Sequence, residues 1–169
     1  EMTGTTMVLF VPTDTIPEYV PNSIIPCHYN YDGKYALVMW TSVAGMAFKW
    51  FKDNFCENYK TFDDLTAIAQ NVEPGANGLT MLPHLCGSTM PKYNPDAKGA
   101  FYGMTLEHTR AHFARAIMEA ISCMLKANLD YTNIEANEIR IMGGGAKSPL
   151  WNQIKADMTG KTLPTLKNK

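Results

Sequence analysis

Three consecutive glycines, Gly143, Gly144 and Gly145, stand between the apolar run Glu138-Ile-Arg-Ile-Met142 and the segment Ala146-Lys-Ser-Pro-Leu-Trp151. A short strand that empties into glycines and then into a helix start suits a nucleotide or another anionic ligand. Residues without side chains let a ligand approach the backbone, and the first turn of a helix offers N–H groups and a positive dipole end. Tight packing of a helix start on its strand would demand the same glycines, so the loop alone leaves both readings open.

Phosphate motifs fix their residues at set offsets, which allows direct tests. A loop of the type glycine, four residues, Gly-Lys-Ser/Thr would need glycine at 141 and 146, where the chain has Ile141 and Ala146 ahead of Lys147 and Ser148. The second Gly-Lys-Thr, Gly160 to Thr162, would need glycine at 155 and meets Lys155. A dinucleotide fingerprint would use Gly143, Gly145 and Ser148 and then an acid about 20 residues on. No acid follows Asp157, which argues against a Rossmann-type dehydrogenase.

The remaining reactive side chains are scattered. Cys27, Cys56, Cys86 and Cys123 lack the close pairs of zinc ribbons or redox motifs and read as reduced, mostly buried thiols. His108 and His112 have ligand spacing on a helix, but without the glutamate of a zinc-protease motif, so a surface or capping role is expected. Asp14, Asp32, Asp96 and Asp157 each sit where a turn or solvent explains them. No metal site is predicted within the chain.

Elements that alternate strand and helix must position these residues. Thr6 to Pro12, Ile24 to Tyr29 and Lys34 to Trp40 are β-branched and aromatic runs, the last two joined by the turn Asp32-Gly33, and predict three adjacent strands. Ser42 is placed to cap a helix whose apolar face carries Ala44, Ala47, Phe48 and Phe51, and a second short helix is predicted over Asp63 to Asn71. Leu79 to Leu82 reads as a brief strand after the turns Pro74-Gly75 and Asn77-Gly78. A long turn-rich loop follows, through Pro83 to Pro91 and Asn94 to Gly99, and is a candidate functional loop. The longest helix is predicted from His108 to Leu129, with Phe113, Ile117, Ile121, Met124 and Leu125 as its core stripe and Ala114, Ala116 and Ala120 permitting close approach. An α/β domain follows from this order.

Composition sets outer limits. At 169 residues, 46% apolar and 18% charged, the chain reads as a single domain, 1–169, with an ordinary core. A net charge of −1 gives no electrostatic reason to expect nucleic acid or an anionic membrane as partner. No apolar run approaches a membrane span and no signal peptide precedes Glu1, so a cytoplasmic protein is expected.

Taken together, the segments carry a resemblance. Gly99-Ala-Phe-Tyr-Gly-Met-Thr-Leu-Glu-His-Thr-Arg-Ala-His-Phe-Ala-Arg-Ala-Ile-Met-Glu119 resembles the second signature of the FGGY carbohydrate kinases. Gly99, Phe101, Gly103, Met104, His112, Phe113, Ala116, Ile117, Met118 and Glu119 fill its places. Leu79 to Pro91 is similar to the family's Pro-containing loop, Ile139 to Ser148 to its strand followed by Gly-Gly-Gly-Ala, and Thr3-Gly-Thr-Thr6 to its Gly-Thr-Ser/Thr phosphate turn. Nearly the whole chain is covered, and the likeness is xylulokinase-like in tone.

The resemblance implies a mixed sheet flanked by helices, a ribonuclease-H-like lobe of the actin, hexokinase and Hsp70 type, closing with a second lobe on ATP and Mg2+. This chain corresponds to the C-terminal, nucleotide-binding lobe. Gly4 and Thr5, with Thr6, carry over to the ATP phosphates, Gly87 to a nucleotide contact in the long loop, and Gly144, Gly145 and Ala146 to the adenosine. The family's catalytic aspartate lies in a Gly-x-Asp turn ahead of Glu1, and the sugar contacts and magnesium-holding acids lie in the N-terminal lobe, so the chain is expected to be inactive alone. At the other end, the family's strand maps near Thr162 to Leu166. Gly87-Ser88-Thr89 departs from the family's Gly-Glu-Arg, which leaves a non-catalytic nucleotide-sensing module as the alternative. An uncovered cleft face makes a homodimer the expected form of any self-association.

Overall fold

The computed structural model of the protein describes residues 1–29 and 32–165. Strands β1 (Met2–Thr3), β2 (Met7–Thr13), β3 (Ile25–His28) and β4 (Tyr35–Thr41) form one antiparallel sheet in the order β1-β2-β4-β3. In β2, Met7, Leu9 and Val11 turn inward while Phe10 is exposed, and Leu37, Met39 and Thr41 of β4 are buried opposite an exposed Trp40. That period of two forces each strand to bury one face. The three predicted strands exist, shifted by about one residue at their ends, as is usual at element boundaries.

The run Glu138 to Met142 extends this sheet without forming a regular strand. Met142 bridges Met2 in parallel, and Glu138 and Ile141 bridge Thr162 and Thr165, also in parallel. The sheet is therefore mixed, with β1 at the seam between the antiparallel strands and the parallel additions. Leu166, the last residue of the expected terminal strand, lies outside the described residues.

Helix α1 (Gly45–Phe55) follows β4 directly. Ser42 does not cap it: Ala44 takes the cap position and no side chain serves the first turn. The N–H groups of Ala44, Gly45 and Met46 instead donate to the carbonyls of Thr5, Gly4 and Thr5, so the β1–β2 turn satisfies the orphan donors that Ser42 was expected to meet. Helix α2 (Phe62–Gln70) has a capping box, with Asp64 N–H donating to Thr61 Oγ1 at 3.1 Å and Thr61 N–H to Asp64 Oδ2 at 2.9 Å.

A small hairpin, β5 (Thr80–Leu82) with β6 (Ala100–Tyr102), brackets the long loop. Within that loop Ser88 and Asn94 exchange backbone hydrogen bonds of 2.8 and 2.9 Å. Helix α3 (Arg110–Thr132) starts two residues later than expected and runs three residues further. His108 and His112 take the capping role: Thr105 N–H donates to His108 Nδ1 at 2.8 Å, and Thr109 N–H to His112 Nδ1 at 3.1 Å.

Helix α3 packs on α1, α2 and α4 (Pro149–Thr159), and its buried Ile117, Ile121 and Leu125 anchor the core with Phe48, Phe51, Leu65, Trp151 and Ile154. Each such side chain contributes about 1.5–3 kcal/mol on burial. The stripe is wider than periodicity suggested, because Arg115 is also buried, paired with Glu119 at 2.6 Å. All four cysteines are free, but only Cys56 is buried; Cys86 lies in the surface loop and Cys123 on an open flank of α3, which corrects the expectation of mostly buried thiols.

Candidate functional site

A cleft of about 770 Å³ opens where the β1–β2 turn, the head of α1, the start of α2 and the glycine loop before α4 converge. Gly4 and Thr5 line it from one end of the chain, and Gly144 and Gly145 from the other. Two segments 140 residues apart are thus walls of one space.

The glycines of this region fall into two kinds. Gly143 has φ +89°, and a Cβ there would stand 2.6 Å from the Thr3 carbonyl oxygen; a Cβ on Gly145 would meet Thr3 Cβ and Cγ2 at 2.8 Å. Both are required by packing against β1. Gly45 belongs with them, since its Cβ would lie 2.3 Å from the Gly4 oxygen to which its own N–H donates. Gly4 and Gly144 differ: a Cβ on either would find no atom within 4 Å, and neither has the left-handed φ that favours glycine. No neighbour within the protein accounts for the missing side chain at those two positions, and both border the cleft.

The cleft is rimmed by charge. Lys49, Lys52, Lys60 and Lys147 line it against two acids, Asp53 and Asp63. Asp53 pairs with Lys49 and, at 2.9 Å, with Lys52, and the Lys49 hydrogen bond followed by the Lys52 one holds its carboxyl below the usual carboxylate range. Phe48, Phe62 and Trp151 supply apolar wall, with Phe48 stacked on Phe62 at 6.1 Å. An anion with an attached flat, apolar ring matches this combination.

The floor beneath is polar and buried. Lys155 is fully buried in α4 and donates to Thr3 Oγ1 at 2.8 Å and to both Glu1 carboxylate oxygens at 3.2 Å. Burial pushes its ammonium below the ordinary lysine range, opposed by the Glu1 carboxylate. At the cleft edge Ser148 Oγ accepts from Trp151 N–H at 3.2 Å and caps α4, with Pro149 at its first position.

Not every expected residue arrives there. Thr6 lies in the turn but off the lining, its carbonyl accepting from Gly4 N–H at 2.9 Å. The Ala146 side chain packs against the core, and its carbonyl accepts from Asn152 Nδ2 at 2.8 Å. Gly87 is outside the cleft lining; its φ of +77° and the close Asn94 and Pro95 backbone explain its glycine within the loop. Ser88 Oγ bonds the Met90 and Lys92 carbonyls at 3.1 Å, and Thr89 Oγ1 the Trp40 carbonyl at 2.6 Å, so hydroxyls brace the loop. Asp14 pairs with Lys34 at 3.1 Å and Asp157 accepts from Gln153.

Sequence reasoning missed Gly45 and the lysines of α1. A glycine at the head of a helix directly after a strand was the available signal, since glycine is unfavourable inside helices unless the backbone is approached closely.

A mixed sheet whose first turn and whose post-strand glycine loop face one cleft beside a helix N-terminus defines a domain of the actin-like ATPase class. Residues 2–169 match the C-terminal domain of the FGGY family of carbohydrate kinases, and the chain belongs to that family. A xylulose kinase of Staphylococcus epidermidis is 34% identical over 165 residues, 96% of this chain and 33% of that enzyme. A gluconokinase of Bacillus subtilis is 32% identical over 127 residues, 68% of this chain and 25% of that enzyme. The crystal structure of the Rhodospirillum rubrum xylulose kinase superposes with a TM-score of 0.88 at 27% identity, covering 99% of this chain and 34% of that one. The chain thus spans about a third of the length of the relatives it matches. Among the described residues no helix is long and apolar enough to cross a membrane.

Proposed function

We propose that this chain is the nucleotide-facing lobe of a cytoplasmic ATP-dependent sugar kinase, one that phosphorylates a hydroxyl of a xylulose-like pentulose. The observation that carries the reading is the pair Gly4 and Gly144: glycines with no internal reason that line one lysine-rimmed cleft. ATP fits such a cradle, because glycine at both positions leaves the backbone open to the cleft where no protein neighbour demands it.

In this reading Gly4 and Thr5, with Thr6 behind them, serve the phosphates. Gly144 and Gly145 serve the adenosine face, with Ala146 holding the loop to the core, and Gly87 shapes the loop that closes one side. Bound Mg-ATP supplies the phosphoryl group and its charge-neutralising metal. The chain's own part is to hold and orient: the Thr5 hydroxyl and the cleft lysines offset phosphate charge, and the apolar wall of Phe48, Phe62 and Trp151 excludes water. Accepting the sugar hydroxyl's proton falls to the family's Gly-x-Asp turn, and holding the metal by carboxylates and contacting the sugar fall to the N-terminal lobe, so the chain alone is inactive and any homodimer forms over its open cleft face. Where the family has a charge pair, the Ser88 and Thr89 hydroxyls bond main-chain carbonyls and brace the loop, which supports the kinase reading over a nucleotide sensor.

Calorimetric titration of the chain with Mg-ATP tests the cleft. Gly144→Val should weaken binding by about tenfold or more, since overpacking costs about 1–3 kcal/mol; unchanged affinity would remove the assignment. Incubation with Mg-ATP and xylulose should give no sugar phosphate, and turnover by the chain alone would overturn the division of labour.

A further inference from the structure

Gly75, Ala76, Asn77 and Gly78 form a turn with positive φ at all four positions, 89°, 45°, 54° and 85°. Residues with side chains resist that region, asparagine less than most. We propose that Asn77 is a deamidation site gated by conformation: the pair Asn77-Gly78 is chemically labile, and the left-handed turn keeps it unreactive until the turn opens.

The chemistry needs only the neighbouring residue and water. Gly78 N attacks Asn77 Cγ to form a cyclic imide, the Cγ–Nδ2 bond breaks, and ammonia leaves with the proton given up by Gly78 N. Water then opens the imide at either carbonyl, giving aspartate or isoaspartate at 77. Glycine as the following residue puts no side chain in the path of attack, and the pair Asn-Gly occurs once in the chain. Asn77 is exposed, so water reaches it.

Two features of the folded turn oppose the reaction. Ring closure needs the Cα–Cβ bond of Asn77 to eclipse the C–N bond to Gly78, and at ψ 37° those two bonds point nearly opposite ways. No side-chain rotamer then brings Cγ to the nucleophile. Gly78 N–H also donates to the Gly75 carbonyl at 2.8 Å, which withholds the nitrogen from attack.

The segment from Gly99 to Glu119 holds the turn in this state. Glu119 Oε1 accepts from Gly75 N–H at 3.0 Å. His108 Nδ1 accepts from Thr105 N–H, so its Nε2 carries the proton and donates to the Asn77 carbonyl at 3.2 Å. Gly103 lies so close that a Cβ there would stand 2.4 Å from the Gly78 carbonyl oxygen. Beneath them Ala76 is fully buried with Val72, Leu79 and Ala116. Opening the turn breaks these contacts, and isoaspartate, with one extra backbone atom, prevents their return.

The test holds the chain at neutral pH, folded in buffer or unfolded in urea, and follows the peptide containing Asn77 by chromatography and mass spectrometry for its aspartate and isoaspartate forms. The folded chain should deamidate at least about tenfold more slowly than the unfolded one, because the hydrogen bonds to Gly75 and Asn77 must break first. His108→Phe keeps a ring but loses the bond to Asn77, and should raise the folded rate about fivefold. Gly103→Ala crowds the Gly78 carbonyl and should raise it too; it serves if circular dichroism shows the phenylalanine variant unfolded. Equal rates in the folded and unfolded chain would overturn the gate, and a folded rate unmoved by both substitutions would overturn the hold assigned to His108 and Gly103.

Discussion

Lys155 Nζ stands 2.8 Å from Thr3 Oγ1, so a buried ammonium in the last helix holds the residue immediately before the Gly4-Thr5 turn. Thr3 in turn fills the space that side chains at Gly143 and Gly145 would need. One residue, Thr3, therefore links α4 through its hydroxyl and the glycine loop through its carbonyl, Cβ and methyl group, and the geometry of both cleft walls depends on it.

Lys155→Met should be strongly destabilising. It strands the Glu1 carboxylate, whose side chain is 0% exposed, without its ammonium partner. Removing one partner of a buried pair costs about 3–5 kcal/mol, and the double variant with Glu1→Gln should recover most of that. Urea unfolding midpoints at constant slope check both.

The same lysine gives a pH signature. Its folded-state pKa is lowered, chiefly by burial, so between that value and the ordinary lysine value of about 10.4 the unfolded chain binds more protons. Stability contributed by this group therefore rises with pH through that alkaline window and is lower below it. Subtracting the profile of Lys155→Met from that of the parent should leave this positive slope; a flat difference would contradict the assignment.

Adjacent glycines should respond in opposite ways. Gly143→Ala forces a side chain to φ +89° and onto the Thr3 oxygen, costing more than about 1 kcal/mol of stability. Gly144→Ala meets no protein atom and should leave stability unchanged or raise it by about 0.4–1 kcal/mol, while lowering Mg-ATP affinity. Thermal unfolding and calorimetric titration of the pair separate the packing glycine from the one proposed to face the nucleotide.

Asp53→Asn should release Lys49 and Lys52 to the cleft and tighten Mg-ATP binding about two- to fivefold at low salt, an effect that fades as ionic strength approaches about 1 M. Because the two lysines hold the Asp53 carboxyl down, protonation mimics the substitution only at pH below the usual carboxylate range.

Much of the molecule was legible in local pattern. The alternation of Met7, Leu9 and Val11 fixed which face of β2 is inside, and the spacing of Ile117, Ile121 and Leu125 fixed the buried side of α3. Capping was less legible. Ser42 had the right chemistry for the head of α1, yet carbonyls from the β1–β2 turn arrived first, a contact set by a neighbour nearly forty residues away in sequence.

The sequence by itself determined the glycine loop, the signature from Gly99 to Glu119 and the order of strands and helices, because these depend on side-chain type at short spacing. Only the tertiary structure decided which glycines are held by packing and which border an open cleft. It brought Gly4 and Gly144 to one cleft, turned Ala146 toward the core and kept Gly87 in its own loop. It also buried Lys155 beneath them, where a lone lysine in an amphipathic helix would be expected to reach water. The physical reason is common to all of these: what surrounds a backbone atom or a charge depends on chain segments distant in sequence, and local pattern carries no information about that approach.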